Sequence, residues 1–510
     1  MASVERTGTS DDLFGSWLYT YKWADPVLSY AFPDSSADYG YKFGAGISEL
    51  NTAQKNTVRD ALDMVASFTQ LRFQESSSDT GATLRFANDS SESTASAYYP
   101  FAGEEGGDAF FGNLTRSPEI GNYDAFTFIH ELGHMLGLEH GHEQPSFNGT
   151  AYDSVEYTVM TYSSYVGDTE DFYTIGAVDY AQSYMQLDIA ALQFMYGANY
   201  STSGEVWSGD TVYSFSPTTG EMSINGVGQG DPAGNRIFRT IWDGDGTDTY
   251  DLTNYSRKLD IDLRPGAWST FSSAQLADLD SGSDKASRIA DGNLANARLV
   301  DNDPRALIEN AIGGQRNDTI IGNRAANVLD GGKGDDKLRG ENGDDTLLGR
   351  DGDDDLRGGN GKDDMSGGRG ADQLFGGKHD DVLRGQKGDD ELRGGNGSDV
   401  IFGGAGFDRL FGQNGADVFR YTDVSDSIAE TRFDRIQDFE TGLDKIRLSG
   451  MADNFRVAID GGANGKRATV ATQERNGNTI VSVDADADGQ TDMKVILTDV
   501  LGVTASDFIL

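Results

Sequence analysis

The chain has no cysteine, so neither a disulfide framework nor a cysteine-held latent metal site is open to it. Positive charge is also scarce: 41 Lys and Arg against 83 Asp and Glu leave a net charge of −42. Nucleic-acid backbones and anionic membrane surfaces repel such a polyanion, so neither is expected as a partner and cations are. No apolar run approaches the ~18 residues of a membrane span. The first dozen residues are polar and acidic, which gives no reason to expect a cleaved Sec signal. Histidine occurs only five times in 510 residues, which makes the position of each one informative. Stabilisation has to come from packing and bound ions.

Glycine is abundant instead, with 66 residues, about twice the ~7% norm, and it is concentrated between 313 and 420. A chain of 510 residues exceeds what one core organises, so two or three domains are expected. From Asn51 a helix is predicted by Val58, Leu62 and Val65 followed by Phe68 or Thr69, and the alternation from Thr83 to Ala87 predicts a strand. A second helix is predicted over about 124–138, with Phe126, Ile129, Leu132, Met135 and Leu136 on its apolar face. A third runs from about Asp188 to Tyr196, closed by Gly197. Together these make an α+β domain, and the clearest boundary falls near Ala198. Residues 201–312 read as short strands and loops.

The strongest chemical signal is His130-Glu131-Leu132-Gly133-His134-Met135-Leu136-Gly137-Leu138-Glu139-His140. Residues four apart share a helical face, so His130 and His134 can address one zinc ion with Glu131 beside them. Gly137 permits a sharp reversal that returns His140 as a third ligand, leaving a fourth position open for water. Of the two remaining histidines, His142 is expected to face solvent and His379 to occupy a turn.

With Met160-Thr161-Tyr162 downstream, this pattern resembles the metzincin clan and, within it, the serralysins. The likeness extends over 126–140, 159–162, 187–197, 241–251 and 308–314, the glycine-rich array and the last residues. The resemblance implies a zinc endopeptidase with a metzincin catalytic domain, Glu131 as general base and Met160 in a turn beneath the zinc. Tyr162 is implied as oxyanion donor and as an additional zinc ligand. Protein and peptide substrates follow, with a proteinaceous inhibitor as a further partner and a monomeric state. The chain departs from the family in carrying Gly141-His142-Glu143 where typical serralysins have a proline after the third histidine.

Residues 313–420 divide into twelve nine-residue units whose eighth position is always apolar and whose sixth is Asp in all but one, the exception being Asn327. Units 331–339, 358–366, 367–375, 394–402 and 403–411 match Gly-Gly-X-Gly-X-Asp-X-apolar-X in full. Such units wind into an all-β parallel β-roll, with glycine turns exposing carbonyls and Asp336, Asp345, Asp354, Asp363, Asp372, Asp381, Asp390, Asp399 and Asp408 offering hard oxygens to Ca²⁺. Arg316, Ala325, Asn327, Gln386 and Gln413 depart from the consensus. By the resemblance, a further calcium loop comprises Gly209, Thr211, Asp243, Asp245, Asp248 and Glu309. The segment 484–489, Asp-Ala-Asp-Ala-Asp-Gly, reads equally as a calcium loop or a plain acidic turn.

The expected division is 1–20 as an N-terminal extension or propeptide, 21–198 catalytic, 199–312 a β-rich connector with calcium loops, 313–420 the roll, and 421–510 a β cap. The final Asp507-Phe508-Ile509-Leu510 resembles an uncleaved type I secretion signal, which implies passage through that apparatus to the outside of a Gram-negative bacterium. Two other readings compete: an adhesin-like protein with an inactive zinc domain, and a metallohydrolase acting on non-peptide substrates. The residues beside the substrate are assigned to an edge strand over 109–113.

Overall fold

In the computed structural model of the protein the apolar spacing after Asn51 becomes helix α1 (Thr52–Phe68), which buries Val58, Leu62, Val65 and Phe68. Asn51 starts it by accepting the Gln54 N–H, while the Gln54 side chain accepts the Asn51 N–H. Helix α2 (Tyr123–Met135) is capped by Asn122, which accepts the Ala125 N–H at 2.9 Å. It ends three residues before the predicted limit, because Gly137 at φ +101° turns the chain and Leu138 N–H closes back on the Gly133 carbonyl. Helix α3 (Gln186–Tyr196) stops at Gly197, φ +79°.

The described residues are all but 1–2, 9–13, 42–45, 169–171, 201–208, 282–287, 429–432, 453–454 and 463–464. They belong to two units, 1–249 with 265–308, and 250–264 with 309–510. Parts of the expected N-terminal extension and of the expected connector therefore lie outside the described residues.

In the first unit the helices accompany a sheet of β1 (Val27–Ala31), β2 (Arg72–Glu75), β3 (Leu84–Asp89), β4 (Ala95–Ala97) and β5 (Asp108–Phe111), ordered β2-β1-β3-β5-β4. Ile47–Ser48 adds antiparallel to β3. Only β4 runs antiparallel to its neighbour among the five, and it is one of the two edges, β2 being the other. The edge strand expected over 109–113 is corrected here: β5 is an interior strand, buried along its whole length between β3 and β4. Its Asp-Ala-Phe-Phe sequence suits a strand covered on both faces rather than a rim. Trp17 belongs to the core, packed on Phe147, and Tyr19 N–H and Glu139 N–H tie the N-terminal segment to the turn after α2.

In the second unit the nine-residue period becomes two parallel sheets that share the repeats alternately. Each residue pairs with the one 18 positions on, Leu329 with Leu347 and Leu338 with Leu356, so one coil takes two repeats. The eighth positions from Ile320 to Phe419 are all fully buried and form the narrow apolar column. Beyond the repeats the same sheets are continued by Asp434–Ile436, Lys445–Leu448, Met493–Leu497 and Phe508–Ile509. His379 takes its expected place in a turn, at φ +79°.

Candidate metal centre

Helix α2 aims His130 and His134 from one face, and the Gly137 reversal brings His140 to meet them. His140 Nε2 lies 3.1 Å from that of His130 and 3.0 Å from that of His134. The other ring nitrogens decide the tautomers. His130 Nδ1 faces the Val159 carbonyl at 2.7 Å and His134 Nδ1 faces the Leu138 carbonyl at 2.6 Å. A carbonyl only accepts, so both Nδ1 atoms carry the proton and both Nε2 atoms present bare lone pairs. Burial first, then neighbouring histidines, keeps the rings neutral: His130 is lowered to about 3, with His134 and His140 lowered for the same leading reason. Lone pairs this close repel unless a cation lies among them. Zn–N bonds of ~2.05 Å at tetrahedral angles place ligand nitrogens ~3.3 Å apart, so the set fits a zinc ion.

Glu131 is buried beside the triad, and burial pushes its carboxyl up to about 8. It lines a cavity of about 440 Å³ together with His130, Tyr162, Thr94 and Ala95 at the edge strand, and Tyr123, Phe126, Thr127, Phe172, Tyr173 and Tyr180. Tyr162 is 36% exposed, its ring centroid 4.7 Å from that of His140 and 5.9 Å from that of His130. Burial, followed by Glu131, raises its phenol to about 12, so the hydroxyl keeps its proton and remains a donor. His142 does not simply face solvent as expected. It is half-buried and stacked on Tyr162, because Gly141 leaves no room for a β-carbon against Trp17 and Phe147 and so seats its turn inward.

Beneath the triad lies Met160, fully buried against Gly133. Asp188 at the start of α3 holds this floor: its carboxylate accepts from Thr158 Oγ1 at 2.6 Å, Val159 N–H at 2.8 Å and Met185 N–H at 2.9 Å. Since the Val159 carbonyl receives the His130 Nδ1 proton, Asp188 fixes a metal-facing ring through one intervening residue. The sequence marks Asp188 only as a helix start. The signal that could have revealed more is an acidic residue in the first turn of an otherwise apolar helix.

The calcium candidates also converge. From Asp336 to Asp417 the repeat aspartates are buried, and each Oδ2 lacks a hydrogen-bond donor. The matching Oδ1 accepts the N–H of the sixth-position residue one coil earlier, as Asp354 does from Asp336 and Asp345 from Asn327, both at 2.7 Å. Burial leads in pushing these carboxyls up, to about 8 at Asp336, Asp381 and Asp408 and to about 7 at Asp345, Asp354 and Asp372. Asp363, Asp390 and Asp399 stand near 6. A buried file of carboxylates short of donors suits divalent cations. In the first unit Thr211 N–H donates to Asp248 at 2.9 Å, Thr211 Oγ1 to the Gly209 carbonyl, and Gly209 N–H to the Asp245 carbonyl, which gathers the loop around buried Asp243. Glu309 belongs to the second unit. Asp484, Asp486 and Asp492 bring carboxylate oxygens within 4.8 Å of one another, and Asp484 Oδ1 is buried without a donor.

Residues 198–510 match the family described as Peptidase M10 serralysin C terminal. The metallopeptidase AprA of Pseudomonas marginalis is 32% identical over 318 residues, covering 59% of this chain and 60% of its own length. The serralysin of Proteus mirabilis is 31% identical over 344 residues, 61% of this chain and 62% of its own. Serralysin B of Dickeya chrysanthemi is 33% identical over 338 residues, 62% and 61% respectively. The matched stretch thus spans about three fifths of these curated relatives.

Proposed function

The chain belongs to the serralysin family of M10 peptidases, and from that premise we propose that it is a secreted zinc-dependent endopeptidase that hydrolyses peptide bonds in proteins. The observation that carries the reading is the convergence of ring nitrogens of His130, His134 and His140 within 4.8 Å of one another, two of them bare Nε2 atoms, beside a cavity lined by Glu131 and Tyr162. Zinc held by His130, His134 and His140 would supply a Lewis acid and acidify water toward pKa ~7. The positive charge of bound zinc would oppose the burial that raises the Glu131 carboxyl, and the ionised carboxylate then accepts the proton of the attacking water and returns it to the leaving amine. Tyr162 donates its hydroxyl to the oxygen that gains charge, a contribution of ~3 kcal/mol for a well-placed donor. The exposed edge of β4 can pair with an extended substrate backbone, and the aromatic cavity receives a side chain of the substrate. Such pairing makes protein and peptide chains the natural substrates.

The roll and the loops around Asp243 and Asp484 are read as structural calcium sites. Extracellular calcium modules bind with Kd of ~10⁻⁴ to 10⁻³ M, so the array would fold outside the cell and stay open during export. Phe508 and Ile509 sit in the second unit's sheet, with Ile446 opposite Phe508. A C-terminal type I signal would therefore be accessible only before folding. The five-part division and the secretion apparatus as partner belong to the same proposal.

Casein hydrolysis by wild type and Glu131→Ala, with zinc and calcium present and again after 1,10-phenanthroline, tests it. Loss of activity in the variant and with the chelator is expected. Wild type that binds zinc and folds its array but cleaves no casein overturns the peptidase reading.

A further inference from the structure

We propose that His142 is a positioning residue for Tyr162, acting on the phenol although its ring also lies 5.0 Å from that of His140; the inference rests on the peptidase reading above. The two rings lie 4.5 Å apart at 29°, a stacked arrangement. His142 Nδ1 accepts the Tyr162 backbone N–H at 3.1 Å. Two contacts of different kinds therefore join one side chain to one residue, and each constrains a different freedom. The hydrogen bond fixes where the Tyr162 main chain stands, and the stack restricts how its ring turns.

The turn that carries His142 is itself held from several sides. Gly141 N–H donates to the Met160 carbonyl at 3.3 Å, and Asn148 Nδ2 donates to the His142 carbonyl at 2.6 Å. Gly141 packs between Trp17 and Phe147 so closely that a β-carbon would collide with both. On the Tyr162 side, Tyr173 Oη donates to the Thr161 carbonyl at 2.7 Å and Thr161 Oγ1 donates to Asp153 at 2.5 Å. The main chain on both flanks is therefore fixed, and the remaining freedom lies in the Tyr162 side chain. That residue is 36% exposed, so solvent alone would not confine it. The Tyr173 ring, 5.7 Å away at 76°, offers only an edge, His140 lies tilted at 4.7 Å and His130 stacks at 5.9 Å, so His142, stacked at 4.5 Å, presents the nearest face.

A phenol confined on one side spends more of its time where its hydroxyl can donate to the reacting oxygen. The interaction belongs to turnover, not to substrate capture, so kcat should carry the effect. Aromatic stacks of this type correspond to about a 3- to 10-fold change in the population of the held orientation.

The test measures kcat and KM on a fluorogenic peptide, with zinc content, for wild type, His142→Ala, His142→Phe, Tyr162→Phe and the His142→Ala/Tyr162→Phe double variant. His142→Ala should lower kcat about 3- to 10-fold with KM within about twofold and zinc retained. His142→Phe, which keeps the face without the acceptor, should recover most of it. In the Tyr162→Phe background His142→Ala should cost nothing further, because the hydroxyl it positions is gone. An equal loss in both backgrounds, or zinc loss in His142→Ala, overturns the inference. If Tyr162→Phe keeps wild-type kcat while Glu131→Ala is inactive, positioning falls and the peptidase reading stands. Zinc-loaded crystal structures of wild type and His142→Ala provide a readout without turnover: a displaced or disordered Tyr162 ring in the variant supports positioning even if no peptide is cleaved, and an unchanged ring overturns it.

Discussion

Gly133 of α2 and Met160 meet so closely that a β-carbon on the glycine would stand 2.5 Å from the methionine sulfur. The glycine inside the histidine motif is therefore a packing requirement, since it lets the helix rest on the methionine turn. Gly133→Ala should cost about 1–3 kcal/mol through overpacking and displace the floor under His130 and His134. Thermal unfolding with and without zinc would read both effects. A variant with wild-type stability and zinc affinity would show that the floor yields.

Asp188 is expected to matter for metal retention although it touches no candidate ligand. Asp188→Asn keeps the shape but replaces one acceptor oxygen by an N–H₂ group, facing donors from Thr158, Val159 and Met185. Zinc affinity should fall about 10- to 100-fold, measured by competition with a chelator, while the fold of the second unit is unchanged. Unchanged affinity would mean that the Val159 carbonyl holds His130 without help.

The histidine motif and the nine-residue period are legible in the sequence because each is written in local spacing: four residues return to one helix face, and nine return to one position on a coil. The cavity beside Glu131 was not legible. Its wall brings Ala95 at the sheet edge, Tyr123 in α2 and Tyr173 and Tyr180 in loops together from distant parts of the chain, and no spacing connects them. The edge strand was misplaced for a related reason. Asp108–Phe111 and Ala95–Ala97 are both short extended segments, and only the pairing shows that the first is enclosed and the second lies at the edge. His142 went astray because its direction is set by Trp17 and Phe147, which press on Gly141 from either side of the sequence.

Within the roll, the second position of the repeat shows what a side chain does to the turn. From Gly332 onward the glycines there hold φ between +93° at Gly332 and +123° at Gly359, whereas Glu341, Arg350, Gln386 and Gln413 draw back to between +68° and +83°. Those lower values approach the left-handed region that L-residues tolerate at a cost of about 1–2 kcal/mol. Gln413→Gly should thus raise the unfolding free energy, measured with calcium present, by less than about 1 kcal/mol, because glycine also loosens the unfolded chain. Gly395→Gln, at φ +120° and against the Gly377 carbonyl, should lower it by more. Equal and opposite shifts would indicate that φ alone sets the effect and that the close approach of the neighbouring coil does not.

The hairpin loop at 484–492 distinguishes a calcium site from an acidic turn by what happens when calcium is withheld. The sequence Asp-Ala-Asp-Ala-Asp-Gly has the alternating carboxylates and the glycine of an oxygen-ligand loop, and Gly489 takes φ +91°. Gly489 N–H donates to Asp484 Oδ2 at 3.0 Å and Ala485 N–H to Asp492 Oδ2 at 2.7 Å. These bonds fold the acidic side chains onto one another and leave Asp484 Oδ1 buried without a donor. Without a cation the three carboxylates repel, so Asp484→Asn should be neutral or stabilising in EDTA. With calcium at about 100 times a Kd of ~10⁻⁴ M, a site that binds only the folded chain contributes ~2.7 kcal/mol. The variant should lose about that much of the calcium-dependent gain, and one calcium from the bound stoichiometry. The same calcium-dependent gain in variant and wild type would make the loop a plain turn.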